Sequence, residues 1–111
     1  MTKRIFITSD RIGHSDDELG HVLMKNFLYS LARNDVKPLA IMLMNEGVRL
    51  SCADSPSLDD LLLLAENGVP VTVCGTCLDY FGLTDALSVG EIATMPGSVA
   101  ALMADDVLSI G

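Results

Sequence analysis

Two cysteines carry the reactive chemistry this sequence offers. Cys74 and Cys77 stand in VTVCGTCLDYFG, residues 71–82, separated by Gly75 and Thr76. A short β-branched run ends in Cys74, and a helix-compatible segment opens directly behind it. Backbone N–H groups at a helix start have no intrahelical partner and carry partial positive charge. A thiol placed there ionises more readily than a free one, and the thiolate is the nucleophile. The plainer reading is packing, because cysteine is among the most buried residue types and at a strand end often serves as a small hydrophobe. A second sulfur three positions on weighs towards chemistry.

Three chemistries fit the CxxC. A zinc site normally takes four Cys or His ligands; only Cys52 and His14 are available to complete one here, and we expect neither metal nor cofactor. A thioredoxin-like dithiol is the usual meaning of CxxC in an intracellular βαβ chain, although here the motif follows the third strand-like run and not an early one. The third is a nucleophilic cysteine that carries sulfur as a persulfide, which needs one activated thiol near a helix start. Other classes fall away. No GxxxxGK[ST] or GxGxxG cradles a phosphate, and Ser9 with His14 and His21 forms no GxSxG elbow or recognisable triad order.

Composition narrows the setting. A chain of 111 residues makes one domain, 1–111, large enough to bury a core without disulfides. With three Phe, two Tyr and no Trp, that core must come from Leu, Val, Ile, Ala and six Met. The net charge is −8 and the seven basic residues are scattered, so nothing here neutralises a phosphate backbone and no nucleic-acid partner is expected. The longest apolar runs, 38–44 and 61–65, fall far short of the roughly 20 residues of a membrane span. The N-terminus lacks the pattern of a signal peptide. We expect a cytoplasmic protein without membrane contact, in which thiols stay reduced.

The elements that must position the thiols can be read in order. RIFITS (4–9) alternates as a first strand, and 10–15 is its loop. Ser15 and Glu18 stand at capping-box spacing, with Asp16 and Asp17 as acidic charges in the first helical turn. Leu19, Val22, Leu23, Phe27 and Leu31 then form an apolar stripe expected to face the sheet. LAIMLM (39–44) is a continuous apolar strand of the kind buried on both faces of a parallel sheet. Ser57 caps a leucine-rich helix over 58–67, closed by Gly68. Pro70 opens the third strand. Residues 84–87 read as a helical turn, 88–94 as a short strand or extended connection, 98–104 as a helix body and 107–110 as a last strand. Alternating strands and helices imply an α/β fold with a mostly parallel sheet of about five strands and helices on both faces, whose site lies at the carboxyl ends of the strands. The loops 10–17, 45–52 and 74–77 then share one edge, which places Cys52, His14, Asp16, Asp17, Asn45, Gly75 and Thr76 around Cys74 and Cys77.

TSDRIGHSDDELG, MLMNEGVRLSC and above all CGTCLDYFGL followed by VGEI resemble the DsrE-like family, most closely the DsrE-like domain of YedF-type selenium metabolism proteins. The resemblance covers essentially the whole chain. It implies a three-layer α/β/α sandwich and, as in sulfur-relay members, a cysteine ending the third strand that takes up a persulfide, with a glycine eight residues later. Cys74 and Gly82 match that spacing, so the resemblance gives Cys74 the carrier role; Cys77 and Cys52 match cysteines of the YedF-type subgroup. It also implies a homo-oligomer, trimer or hexamer, with Tyr80 and Phe81 near an interface, and either a stand-alone homologue or a chain whose TusA-like sulfur-carrier domain is supplied by a partner protein. Two other readings accompany the sulfur or selenium carrier: a non-enzymatic oligomeric binding module of the same fold, and a CxxC dithiol redox protein.

Overall fold

The structure, a computed structural model, describes residues 3–111. In chain order it comprises β1 (Arg4–Ile7), α1 (Asp17–Arg33), β2 (Ala40–Leu43), a 3-10 helix (Asn45–Ser51), α2 (Leu58–Glu66), β3 (Val71–Cys74) and α3 (Gly75–Phe81). A 3-10 turn (Thr84–Ala86), β4 (Glu91–Ala93), α4 (Met95–Ala104) and β5 (Val107–Ile110) complete it. The five strands form one sheet in the order β4-β3-β2-β1-β5, and every pairing is parallel. From β1 to β4 the chain steps always in one direction, so right-handed crossovers put α1, α2 and α3 on one face of the sheet. The return from β4 to β5 crosses the whole sheet and puts α4 on the other. The result is a three-layer α/β/α sandwich.

The α1–α2 face holds the core. Ile5, Ile7, Ile41, Leu43, Val71 and Val73 point there from the central strands and meet Met24, Leu28, Leu61 and Leu64 from the helices. The buried stripe of α1 is not the expected one. Leu19, Val22 and Leu23 face solvent, and the helix rests on Gly20, Met24, Leu28 and Ala32, with Phe27 and Leu31 flanking them half-buried. Gly20 decides the rotation. A Cβ there would come within 2.8 Å of the Arg11 Cβ, and the Ile12 N–H donates to the Gly20 carbonyl at 3.0 Å, so the helix is seated against the first loop through its smallest residue. The N-cap is also displaced by one: Asp16, with extended backbone, accepts from the Leu19 N–H at 2.9 Å, and not Ser15.

Between α1 and α2 lies an ion cluster that hydrophobic patterning does not show. Asp60, only 1% exposed, accepts from Lys25 Nζ through Oδ2 and from Arg33 through Oδ1 at 2.9 Å. The Arg33 guanidinium is stacked over the Tyr29 ring, 3.6 Å from its centroid.

The other face of the sheet is thinly covered. Only Ser98 of α4 is buried; Met95, Val99 and Met103 are exposed, and a cavity of about 510 Å3 remains between α4 and the sheet, against Met42, Thr72 and Ile92.

Candidate functional site

The carboxyl ends of the strands gather the three expected loops. β3 delivers Cys74 to the first position outside α3, where its backbone is extended and its side chain makes no cap bond. Gly75 follows, where a Cβ would lie 2.9 Å from Ile92 Cγ2 of the neighbouring strand and would force that side chain to shift. α3 is short because Gly82 ends it: in the left-handed conformation (φ 67°) it lets the Leu83 N–H return to the Leu78 carbonyl at 2.8 Å. The glycine eight residues beyond Cys74 thus sets the length of the helix that begins at the thiol. Cys74 is nearly buried, at 8% exposure, Cys77 is half-buried, Thr76 is exposed, and all three cysteines are free thiols.

The 45–52 segment supplies a donor to the pair. Asn45 leaves β2 with φ 51°, a conformation asparagine tolerates better than most residues, and its backbone N–H donates to Cys77 Sγ at 3.1 Å. Gly47 allows the same 3-10 helix to pack on the end of β1, where a Cβ would fall 2.3 Å from the Ile7 carbonyl oxygen. Burial holds the Cys77 thiol above the ordinary thiol range, and the neighbouring Cys74 sulfur raises it further; the Asn45 N–H opposes both because it stabilises the thiolate. Alkylation of Cys77 is therefore expected to need a higher pH than a free thiol. In Cys74→Ala, which removes one of the raising influences, its rate profile should move to lower pH; mass-resolved iodoacetamide kinetics from pH 6 to about 10 reads both shifts.

Cys52 takes a different part. It is 2% exposed, its thiol donates to the Val48 carbonyl at 3.3 Å, and burial pushes its pKa up against the opposing charge of Arg49. It shares the buried cluster with Cys74, and Cys77 packs against that cluster, but a thiol so enclosed acts as a small hydrophobe. Of the remaining site-edge residues, His14, Asp17 and Asn45 line a polar cavity of about 370 Å3 together with Ser9, and neither Cys74 nor Cys77 lines it. Asp16 is committed to capping α1. No group of three or more Cys, His, Asp or Glu gathers in an arrangement able to hold a metal ion among the described residues.

Sequence reasoning passed over Arg11, the organiser of this edge. Its guanidinium binds Asp10 at 3.2 Å, Asp17 at 2.9 Å and Glu46 at 3.0 Å, tying the first loop to the start of α1 and to the 3-10 helix. These hydrogen bonds raise its pKa, those to Asp17 and Asp10 foremost, so it remains charged. A lone arginine among acidic residues in the first loop was the signal available.

Similar solved structures share this architecture from end to end. The ychN protein from E. coli superposes with a TM-score of 0.65 over 99% of this chain and 100% of its own, at 21% identity. The fold is DsrE-like. Two structures described as proteins of unknown function match comparably. MTH1491 from Methanobacterium thermoautotrophicum has a TM-score of 0.63 at 17% identity over 98% of this chain and 99% of its own. BT1422 from Bacteroides thetaiotaomicron has 0.62 at 16% identity over 97% and 94%. No protein-family model matches the chain, nor does any curated protein sequence. No helix among the described residues is long and apolar enough to cross a membrane.

Proposed function

We propose that the protein is a sulfur carrier that holds a persulfide on Cys74, with selenium as the alternative cargo of the same exchange chemistry. The observation that carries the reading is the seat of Cys74: the carboxyl end of a central parallel strand, at the start of a helix, beside a second thiol whose sulfur is held by a backbone N–H. The Cys74 thiolate attacks the outer sulfur of a donor persulfide. A new S–S bond forms, the donor's own S–S bond breaks, and the donor leaves as a thiol after taking up a proton. An acceptor thiolate then attacks the outer sulfur on Cys74 and restores the Cys74 thiolate. The resemblance of CGTCLDYFGL to YedF-type proteins supports this reading, and a TusA-like carrier protein is the partner it suggests. Incubation of the reduced protein with glutathione persulfide, followed by intact mass, should add one sulfur atom per chain in a form that dithiothreitol removes; a chain whose mass does not change overturns the proposal.

The carrier is a homo-oligomer in this reading, a trimer or hexamer, and α4 supplies a contact surface. Residues 94–104 contain no charged side chain in a chain of net charge −8, and a helix apolar on every side is normally buried. Two copies can approach along this face without carboxylate repulsion. Tyr80, 85% exposed, offers a further apolar surface, whereas Phe81 is half-buried beneath the Arg49 guanidinium, 4.6 Å from its ring centroid. Light scattering at micromolar concentration should show a multimer that Val99→Glu with Met103→Glu converts to monomer. A monomeric parent protein, or a multimer indifferent to both charges, refutes this assignment.

A further inference from the structure

The inner face of α4 is built from its smallest residues and leaves a slot against the sheet. Gly97, Ser98 and Ala101 line it, whereas Met95, Val99 and Met103 are exposed. Ala40, Met42 and Thr72 form the floor: side chains alternate along a strand, so these three stand on the face opposite Ile41, Val71 and Val73. The large side chains of α4 are therefore on the wrong side to fill the space, and a cavity of about 510 Å3, within the range of small-metabolite sites, stays open. Ser98 is 6% exposed, and its hydroxyl makes no hydrogen bond among the described residues. Among those residues Ser57 Oγ alone is a fully enclosed side-chain oxygen without a partner, so Ser98 Oγ keeps contact with the slot that Ser98 lines. The Thr72 hydroxyl on the floor, half-buried, has no side-chain hydrogen bond there either. Polar groups so placed destabilise the fold unless something beyond the chain meets them. Neither Cys74 nor Cys77 lines the slot, so a ligand held there is independent of the sulfur chemistry.

Arg4 closes the end of the slot at the amino edge of the sheet. Its Nε and Nη2 both donate to Asp105 Oδ2, at 3.2 and 3.0 Å, and Nη1 meets no acceptor among the described residues. A guanidinium so placed can take a second carboxylate, as Arg11 does at the opposite edge, where it holds Asp10, Asp17 and Glu46 together. Because α4 runs from the end of β4 back to Arg4, the helix itself measures the distance between the polar groups. At roughly 1.5 Å per helical residue, Ser98 stands about 10 Å from Asp105 along α4. We propose that the slot binds a medium-chain aliphatic carboxylic acid that carries a second oxygen function, hydroxyl or carbonyl, at its far end. Its carboxylate is received by Arg4, its far oxygen by the Ser98 and Thr72 hydroxyls, and its methylene chain by Ala40, Met42 and Ala101. A plain alkyl chain would leave both hydroxyls dry, and a compact polar molecule would set its polar groups against Met42 and Ala101.

Three probes of equal chain length separate the contributions: ω-hydroxyoctanoate, octanoate and the α,ω-octanediol, titrated into the full-length protein with methionine methyl shifts as readout. Met42 stands on the slot floor and Met24 in the core on the other side of the sheet, so a ligand in the slot should move the first and not the second. ω-Hydroxyoctanoate should saturate with a dissociation constant on the order of 1 mM, the scale appropriate to a ligand of about eleven heavy atoms. Octanoate and the diol, each lacking one polar end, should bind about tenfold more weakly. Ser98→Ala removes a hydroxyl that bonds to nothing in the chain, so the fold is retained; ω-hydroxyoctanoate should fall to the affinity of octanoate, and octanoate should be unchanged. Arg4→Gln should bring ω-hydroxyoctanoate down to the diol. Ala101→Leu fills the slot and should abolish binding of all three, with persulfide loading of Cys74 retained, so this proposal and the sulfur reading fail separately. A Met42 methyl that does not titrate, equal affinity for the three probes, or unchanged ω-hydroxyoctanoate binding in Ser98→Ala or Ala101→Leu overturns the proposal.

Discussion

Persulfide loading is expected to vanish in Cys74→Ser and to survive in Cys77→Ser. A serine hydroxyl at the end of β3 fits the space but is not a sulfur nucleophile, so the added sulfur atom disappears from the intact mass. The role of Cys77 depends on where its proton is held. A Cys77 thiolate would attack the inner sulfur of a Cys74 persulfide, closing a Cys74–Cys77 disulfide and expelling hydrosulfide, which discharges the carrier without an acceptor. Burial and the Cys74 sulfur raise the Cys77 pKa and so keep the thiol protonated at neutral pH. Loaded protein should therefore be long-lived at neutral pH and lose hydrosulfide faster as pH rises through the raised Cys77 value, whereas Cys77→Ser should stay loaded across that range. Hydrosulfide release measured against pH on both proteins checks this. Loading that requires both cysteines would identify a dithiol enzyme in place of a carrier, since there the second thiol must resolve the first mixed disulfide.

The strand and helix order was legible because this fold is written in local signals. A continuous apolar strand at 40–43, a β-branched one at 71–74, a glycine after each of α2 and α3, and a proline opening β3 and α4 fix the elements without reference to the rest of the chain. The shared edge of three loops followed from parallel topology alone. What failed was rotation. α1 carries apolar residues on more than one side, so counting at helical spacing selects Leu19, Val22 and Leu23, while the actual seat is chosen by Gly20, which contributes almost nothing to a hydrophobic count but admits the closest approach. Ser57 failed in the same way. It holds the right position to cap α2, but its backbone is not extended there and its buried hydroxyl makes no cap bond. The Arg11–Glu46 bond joins residues 35 apart and the Asn45–Cys77 bond residues 32 apart, separations at which no local pattern announces a contact. A CxxC spacing announces its two sulfurs and nothing of which one is exposed or which backbone N–H meets it.

Asp60 makes contacts of the same long-range kind, and its removal and its isolation should differ. The carboxylate is 1% exposed, but Lys25 and Arg33 are 36% and 43% exposed, so the cations can turn to water and the anion cannot. Asp60→Leu therefore frees two charges to solvent at modest cost. Lys25→Met with Arg33→Met leaves a buried carboxylate unpaired, which in comparable cases costs about 3–5 kcal/mol. A domain of this size is stable by about 5–15 kcal/mol, so the double variant should lose from about a fifth to nearly all of its stability. It also loses the Arg33–Tyr29 stacking, a contribution of about 0.5–1 kcal/mol. The triple variant with Asp60→Leu loses the stacking as well but not the isolated charge, and it should recover most of the difference. Urea unfolding of the parent, Asp60→Leu, the double and the triple variant gives the four values. A double variant that loses under about 1 kcal/mol would mean the cluster behaves as exposed ion pairs do, with water reaching Asp60 between the helices, and the α1–α2 interface would then owe its stability to Met24, Leu28, Leu61 and Leu64 alone.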